Sequence, residues 1–264
     1  LWLATGTFRV TAESVLEGEV QRVAAAPFRG FIAEAPTSNL FWVDDEEAVH
    51  TPPEKRVLLG NRNSGFSNNQ AIIAFVQDLY AHYDIYDNYL KFFDKSFTSP
   101  LSRTGIDTYN YVLADSAYIG DKWCYNIIYY PRRKNELTFK GDFWVNDSTF
   151  AIKEINLQVT KSANINWVKE IYIEQEFEVL SDSVFLLKRD YMLTDFALNK
   201  KEESKGIYGK RTTIYDNYRF DRERPASFYQ QKADPYAARV LEKDDSFWEN
   251  RRLEPLSKDE SGVY

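Results

Sequence analysis

Between about Ile106 and Tyr215, apolar and polar side chains alternate with a period of two. In Leu137, Phe139, Gly141, Phe143 and Val145 the odd positions are apolar or small, while Thr138, Lys140, Asp142 and Asn146 take the other phase. Successive side chains of a strand point to opposite faces, so this pattern predicts a strand with one dry and one wet side. The same phase runs through Ile171, Ile173, Gln175, Phe177 and Val179, and through Trp123, Tyr125, Ile127 and Tyr129. Turn chemistry separates the runs at Gly120-Asp121, 131–136, Asn146-Asp147-Ser148, 162–166, Ser181-Asp182-Ser183 and 199–206. Short turns between such runs predict an antiparallel meander of about six strands. Phe150 and Ile152 are followed by Ile155, Leu157 and Val159, so the apolar phase slips by one at Lys153-Glu154 and predicts a bulge or bend.

The first sixty residues read as strands less cleanly, over Gly6–Val15, Gly18–Ala25, Gly30–Val43 and Glu54–Leu59. Two segments follow a helical period instead. After the N-cap residues Ser67-Asn68-Asn69, an oily stripe of Ile72, Phe75, Val76, Leu79, Tyr80 and Tyr83 predicts a helix near 69–83. Tyr86, Tyr89, Leu90 and Phe93 repeat that spacing and predict a second helix near 86–95. A sheet whose dry face is covered by these stripes satisfies both patterns. The expected fold is therefore mainly β (α+β): a curved antiparallel meander or half-barrel over residues 1–220, with two or more helices covering its concave face. Ile72, Phe75, Val76, Leu79, Tyr89 and Phe93 from the helices, with Phe139, Phe143, Ile173 and Phe177 from the sheet, would line the groove. Residues 221–264 turn charged, carry Pro225, Pro235 and Pro255, and keep Phe228, Tyr229, Phe247 and Trp248 as anchors, which predicts a partly helical connector or tail.

Composition narrows the chemistry more than it suggests any. With 33 basic and 40 acidic side chains the formal charge is −7 and the pI near 5.1, against the phosphate-neutralising surface that nucleic-acid binding requires. Two histidines, His50 and His82, and the single Cys124 close most metal sites and every internal disulfide. Cys124 sits in a strand-like run, the setting of a buried inert thiol. The apolar run from Ala71 to Val76 is far shorter than the roughly 20 residues of a membrane-spanning helix. The chain opens on Leu1 and its one methionine is Met192, which suggests an excised or mature piece.

Each motif that tempts a catalytic reading has a plainer one. The loop Gly60-Asn61-Arg62-Asn63-Ser64-Gly65-Phe66-Ser67 lies where a phosphate-binding loop would, but Phe66 stands in place of the lysine, so it reads as a Gly/Asn turn. Asp44-Asp45-Glu46-Glu47 reads as a solvated turn, and His50 and His82 as surface or packing residues. No pair among the 40 carboxylates is singled out by its neighbours. Trp144, Tyr172 and Tyr130 offer rings for stacking a sugar or sheltering a lipid, with cross-strand packing as the simpler use.

Several stretches, in order, carry a resemblance. They are Ile32-Ala33-Glu34-Ala35, Ser64 to Asn69, Tyr86-Asp87-Asn88-Tyr89 and Ser96-Phe97-Thr98-Ser99-Pro100-Leu101-Ser102. Tyr109 to Ser116, Tyr125 to Lys134, Phe139 to Val145, Asn164 to Val168 and Asn250 to Ser257 continue the series. Together they resemble Bacteroidetes outer-membrane proteins that carry a carboxypeptidase-regulatory-like domain in front and an outer-membrane β-barrel behind. The resemblance spans about Gly30 to Tyr264 and implies the soluble middle segment of such a protein, on the periplasmic face of the outer membrane. It implies a sheet similar to the half-barrel of lipoprotein-sorting proteins and no peptidase activity, and no motif of the sequence points to a cofactor. The implied partners are an outer-membrane β-barrel, in the same polypeptide or in complex, and lipid or lipoprotein. The expected function is thus a non-enzymatic module that scaffolds or handles lipid or outer-membrane protein cargo. A glycan-binding or glycan-acting module and a soluble periplasmic lipid carrier are the alternatives.

Overall fold

A computed structural model describes residues 12–20, 54–63, 83–92, 95–159, 168–181, 184–197, 206–218, 225, 227, 242–251 and 255. The chain divides into two compact units: residues 1–29, 34–70 and 217–264 form one, and 30–33 with 71–216 the other. The described part of the first unit contains β1 (Ala12–Val20) paired antiparallel with β2 (Glu54–Asn63). The break expected between Val15 and Gly18 is only a register shift at Val15/Leu16 inside one strand. Gly60 to Asn63, expected in a turn, continue β2 and pair with Val15 to Ala12. The same unit holds a helix, Asp245–Arg251, in which Phe247 and Trp248 meet edge to face at 5.2 Å. Asp244 starts that helix by accepting the Phe247 N–H, a bond that holds its carboxyl below the usual range.

The second unit is built on seven antiparallel strands: β5 (Tyr109–Ile119), β6 (Lys122–Pro131), β7 (Phe139–Asn146), β8 (Ile152–Val159), β9 (Val168–Ser181), β10 (Val184–Ala197) and β11 (Gly206–Ile214). They lie side by side in chain order, from β5 at one edge to β11 at the other, so the sheet is an open meander. The expected alternation holds on the dry side, where Phe139, Phe143, Ile155, Leu157, Ile171, Ile173 and Phe177 share a buried face, but Thr138 and Asn146, expected on the wet side, are buried as well. The bulge expected at Lys153-Glu154 is present, because Val145 pairs with Ile152 and Trp144 with Glu154, leaving Lys153 as the extra residue.

A two-stranded hairpin, β3 (Tyr89–Phe92) and β4 (Lys95–Thr98), covers the dry face. This corrects the helix expected near 86–95. In a strand Leu90 and Phe92 share one face, and both are buried, whereas Tyr89 is 57% exposed. Phe92 contacts the rings of Tyr83 at 4.7 Å, Phe97 at 6.2 Å and Phe139 at 6.3 Å. A helix placing Tyr89, Leu90 and Phe93 together would have turned Phe92 away from that cluster. Phe93 and the helix expected near 69–83 lie outside the described residues.

Tyrosine hydroxyls fix the hairpin and its exit loop to the sheet. The Tyr109 hydroxyl donates to the Thr98 carbonyl and accepts the Phe139 N–H, and the Tyr111 hydroxyl donates to the Pro100 carbonyl. Burial raises both, Tyr111 to about 12, so they stay protonated donors at physiological pH. Ser99, fully buried, donates to the Ile85 carbonyl. Between them a four-residue helix, α1 (Gly105–Thr108), leads into β5.

Candidate functional site

The sheet carries three chemically distinct regions. Across β7, β8 and most of β9 the dry face is apolar and closed. Four of the expected groove residues, Phe139, Phe143, Ile173 and Phe177, belong to one buried cluster that also takes in Leu90, Phe92 and Phe97 of the hairpin. They are brought together, as core beneath the hairpin rather than as an open lining. Tyr89 lies outside this core, and Ile72, Phe75, Val76, Leu79 and Phe93 lie outside the described residues.

Toward β10 and β11 the same face turns polar without becoming exposed. Gln175 on β9 stands opposite Asp190 on β10, and Met192 stands opposite Arg211 on β11; Gln175, Asp190, Thr194 and Arg211 are all buried. The Tyr83 hydroxyl donates to Asp190 Oδ1 at 2.6 Å. Arg211 Nη2 donates to the same hydroxyl at 3.3 Å and forms an ion pair with Asp190 Oδ2. Burial pushes the Tyr83 hydroxyl well above its ordinary value, and the Asp190 charge pushes it further. Burial opposes the Arg211 charge, but Tyr83 and Asp190 more than offset it and the guanidinium is held charged. The trio ties Tyr83 to residues 107 and 128 positions away, and that separation hid it from sequence reasoning.

The wet face of β6 to β10 is a lattice of amides, carboxylates and rings. Asp142 accepts from Asn126 at 2.8 Å and Asn156 at 3.1 Å, one on each neighbouring strand. The Tyr172 hydroxyl, raised by burial to about 12, bonds Asn156 and Glu174, and Arg189 joins Glu174 at 2.9 Å and Glu176 at 3.7 Å. Glu154 faces Glu176 directly across the strands, and burial followed by that like charge raises its carboxyl. Tyr172 and Tyr191 meet at 65° with centroids 6.2 Å apart, an edge-to-face pair and not a flat stacking platform.

The third region is the β5–β6 end. Leu113 has the inward phase and pairs with Ile127, yet it is 66% exposed. Its neighbour Val112 pairs with Ile128 on the opposite face, and both are exposed. Tyr118, packed edge-on against Trp123 at 4.9 Å, is 69% exposed. Apolar side chains therefore remain open to solvent on both faces of one sheet edge.

A family model described as "Family of unknown function (DUF5686)" matches residues 55–218, more than half of the chain. The chain belongs to the DUF5686 family. No curated protein and no solved structure matches it. The part of this DUF5686 chain that matches runs from β2 through β11 and so includes all three regions of the sheet. Among the described residues no three His, Cys, Asp or Glu side chains group as metal ligands, and no helix is long and apolar enough to cross a membrane. Cys124 is fully buried on β6, and burial raises its thiol. His50, His82 and Asp44 to Glu47 lie outside the described residues. In chemical terms the two polar networks are internally paired and suited to holding strands in register, whereas the β5–β6 end presents unsatisfied apolar surface. The pairing of Leu113 with Ile127 gives it the inward phase, and its place on the edge strand leaves it uncovered.

Proposed function

We propose that this DUF5686 chain is a non-enzymatic module on the periplasmic face of the outer membrane, where it scaffolds or handles outer-membrane cargo beside a β-barrel. The observation that carries this reading is the open sheet edge: Val112, Leu113, Tyr118 and Ile128 are exposed together at the β5–β6 end of the meander. Large apolar side chains left exposed on both faces of one sheet edge are surface that a partner can cover. The resemblance to outer-membrane proteins of Bacteroidetes supplies the location and the barrel partner. Protein cargo is favoured over lipid, because the described groove residues on the sheet are occupied by the hairpin's own Leu90, Phe92 and Phe97. The glycan alternative has the wet-face lattice in its favour, but its half-buried rings meet edge to face and its amides and carboxylates pair with each other.

Fractionation of cells expressing the native gene tests the reading. Recovery of the chain with the outer membrane, sensitive to protease only after the outer membrane is permeabilised, is the expected result. Recovery in the cytosol refutes it. Native mass spectrometry after gentle extraction separates the cargo classes: a bound acyl species would restore the lipid reading.

A further inference from the structure

We propose that β5 is a strand-addition site, whose occupant is an extended, nearly uncharged segment of another polypeptide. β5 is the terminal strand of the sheet and runs eleven residues, Tyr109–Ile119. Among the described residues it has a strand partner, β6, on one side only. In an antiparallel pair every second residue turns its N–H and C=O away from the partner, so the outer side of β5 offers a row of donors and acceptors, although the Ser116 N–H already donates to Asp115 Oδ1 and the Tyr109 carbonyl accepts from Arg132 Nε. Such a row is matched in full only by another extended chain.

Natural edges are usually guarded by lysine, proline, inward charges or bulges. The other terminal strand, β11, carries Lys210 and Arg211. β5 carries no cation and no proline; its guards are one bulge between Leu113 and Asp115 and the single charge of Asp115. Its centre, Val112 to Asp115, is exposed throughout. Charge and shape together describe the occupant. It is apolar on both faces, to cover Leu113 on one side and Val112 with Ile128 on the other. It carries at most one cation, placed opposite Asp115. The inference deepens the proposed function by naming the form of the cargo, and it rests on that reading for the source of the segment but not for the edge.

The test uses the purified whole chain and a capped eleven-residue peptide of alternating valine and isoleucine with one central lysine, apolar on both faces when extended. Hydrogen–deuterium exchange is followed with and without peptide. The expected result is slowing of about tenfold or more at the amides of β5, because they become closed by hydrogen bonds. The same peptide N-methylated at alternate amides is expected to give no protection. Leu113→Lys and Val112→Lys, both at exposed positions, are expected to abolish protection while leaving the unfolding midpoint unchanged, and Thr212→Lys on β11 is expected to change nothing. Four results overturn the proposal: no protection at saturating peptide, protection at another strand, equal protection by the methylated peptide, or protection that appears with protein concentration alone. The last would assign the edge to a second copy. Because the measurement is made on isolated protein, its failure is distinct from a cytosolic location, which would refute the functional reading instead.

Discussion

Gly141 permits the sharpest test of how the meander is held. The Tyr129 side chain lies across this residue from the neighbouring strand, and its hydroxyl donates to the Asn156 carbonyl on the strand beyond. A Cβ added to Gly141 would sit 2.0 Å from that carbonyl oxygen and 2.9 Å from the Tyr129 hydroxyl. The oxygen belongs to backbone, so β7 and β8 must part by more than an ångström to restore ordinary contact. That displacement breaks the Tyr129 bond and weakens neighbouring ladder bonds, at about 0.5–1.5 kcal/mol each. Overpacking adds about 1–3 kcal/mol, so Gly141→Ala is expected to cost about 3 kcal/mol or more. Two comparisons separate the causes. Gly120 has φ +64° with nothing within 4 Å of an added Cβ, so Gly120→Ala isolates the conformational cost of about 1–2 kcal/mol. Tyr129→Phe isolates the single hydrogen bond, at about 0.5–1.5 kcal/mol. Urea unfolding followed by circular dichroism and tryptophan fluorescence measures all three. A loss at Gly141→Ala no greater than at Gly120→Ala would refute the close-packed crossing.

The buried trio predicts a strongly non-additive cycle: Asp190→Leu alone is expected to cost about 3–5 kcal/mol, because Arg211 loses its carboxylate, whereas Asp190→Leu with Arg211→Met recovers most of it. Additive losses in a denaturation cycle would contradict this. Glu154, its carboxyl raised by burial and by Glu176, is better accommodated protonated, so its contribution is favourable below the ordinary glutamate range and lost as pH rises through the folded value. Glu154→Gln is therefore expected to stabilise by about 0.2–1 kcal/mol at pH 7, with the difference vanishing at about pH 4, near the ordinary glutamate value; unfolding curves at both pH values check the sign. Cys124 is expected to react with a thiol reagent only at the rate at which the domain opens, and fast labelling of the folded chain would place it at the surface. Phe97→Ala is expected to cost about 3–5 kcal/mol by leaving a cavity against Phe92 and Phe139, read as a drop in the thermal midpoint.

The alternation of Phe139, Phe143 and Val145, of Ile171, Ile173 and Phe177, and the phase slip beside Lys153 were sufficient to assign an antiparallel meander with one dry side and a bulge. Those features are legible because period two follows from the geometry of each strand by itself. The segment 86–95 was not legible: four apolar residues fit both a helical stripe and a short strand, and the rings of Tyr83, Phe97 and Phe139 around Phe92 decide between them. Nor was the polar end of the dry face, since Tyr83, Asp190 and Arg211 acquire their meaning only when distant strands lie side by side. Alternation by itself determined which way each side chain points. What covers a side chain depends on chain far away in sequence, so only the tertiary structure decided that Phe139 is sealed beneath a hairpin while Leu113, in the same phase, stands open at the sheet's last strand.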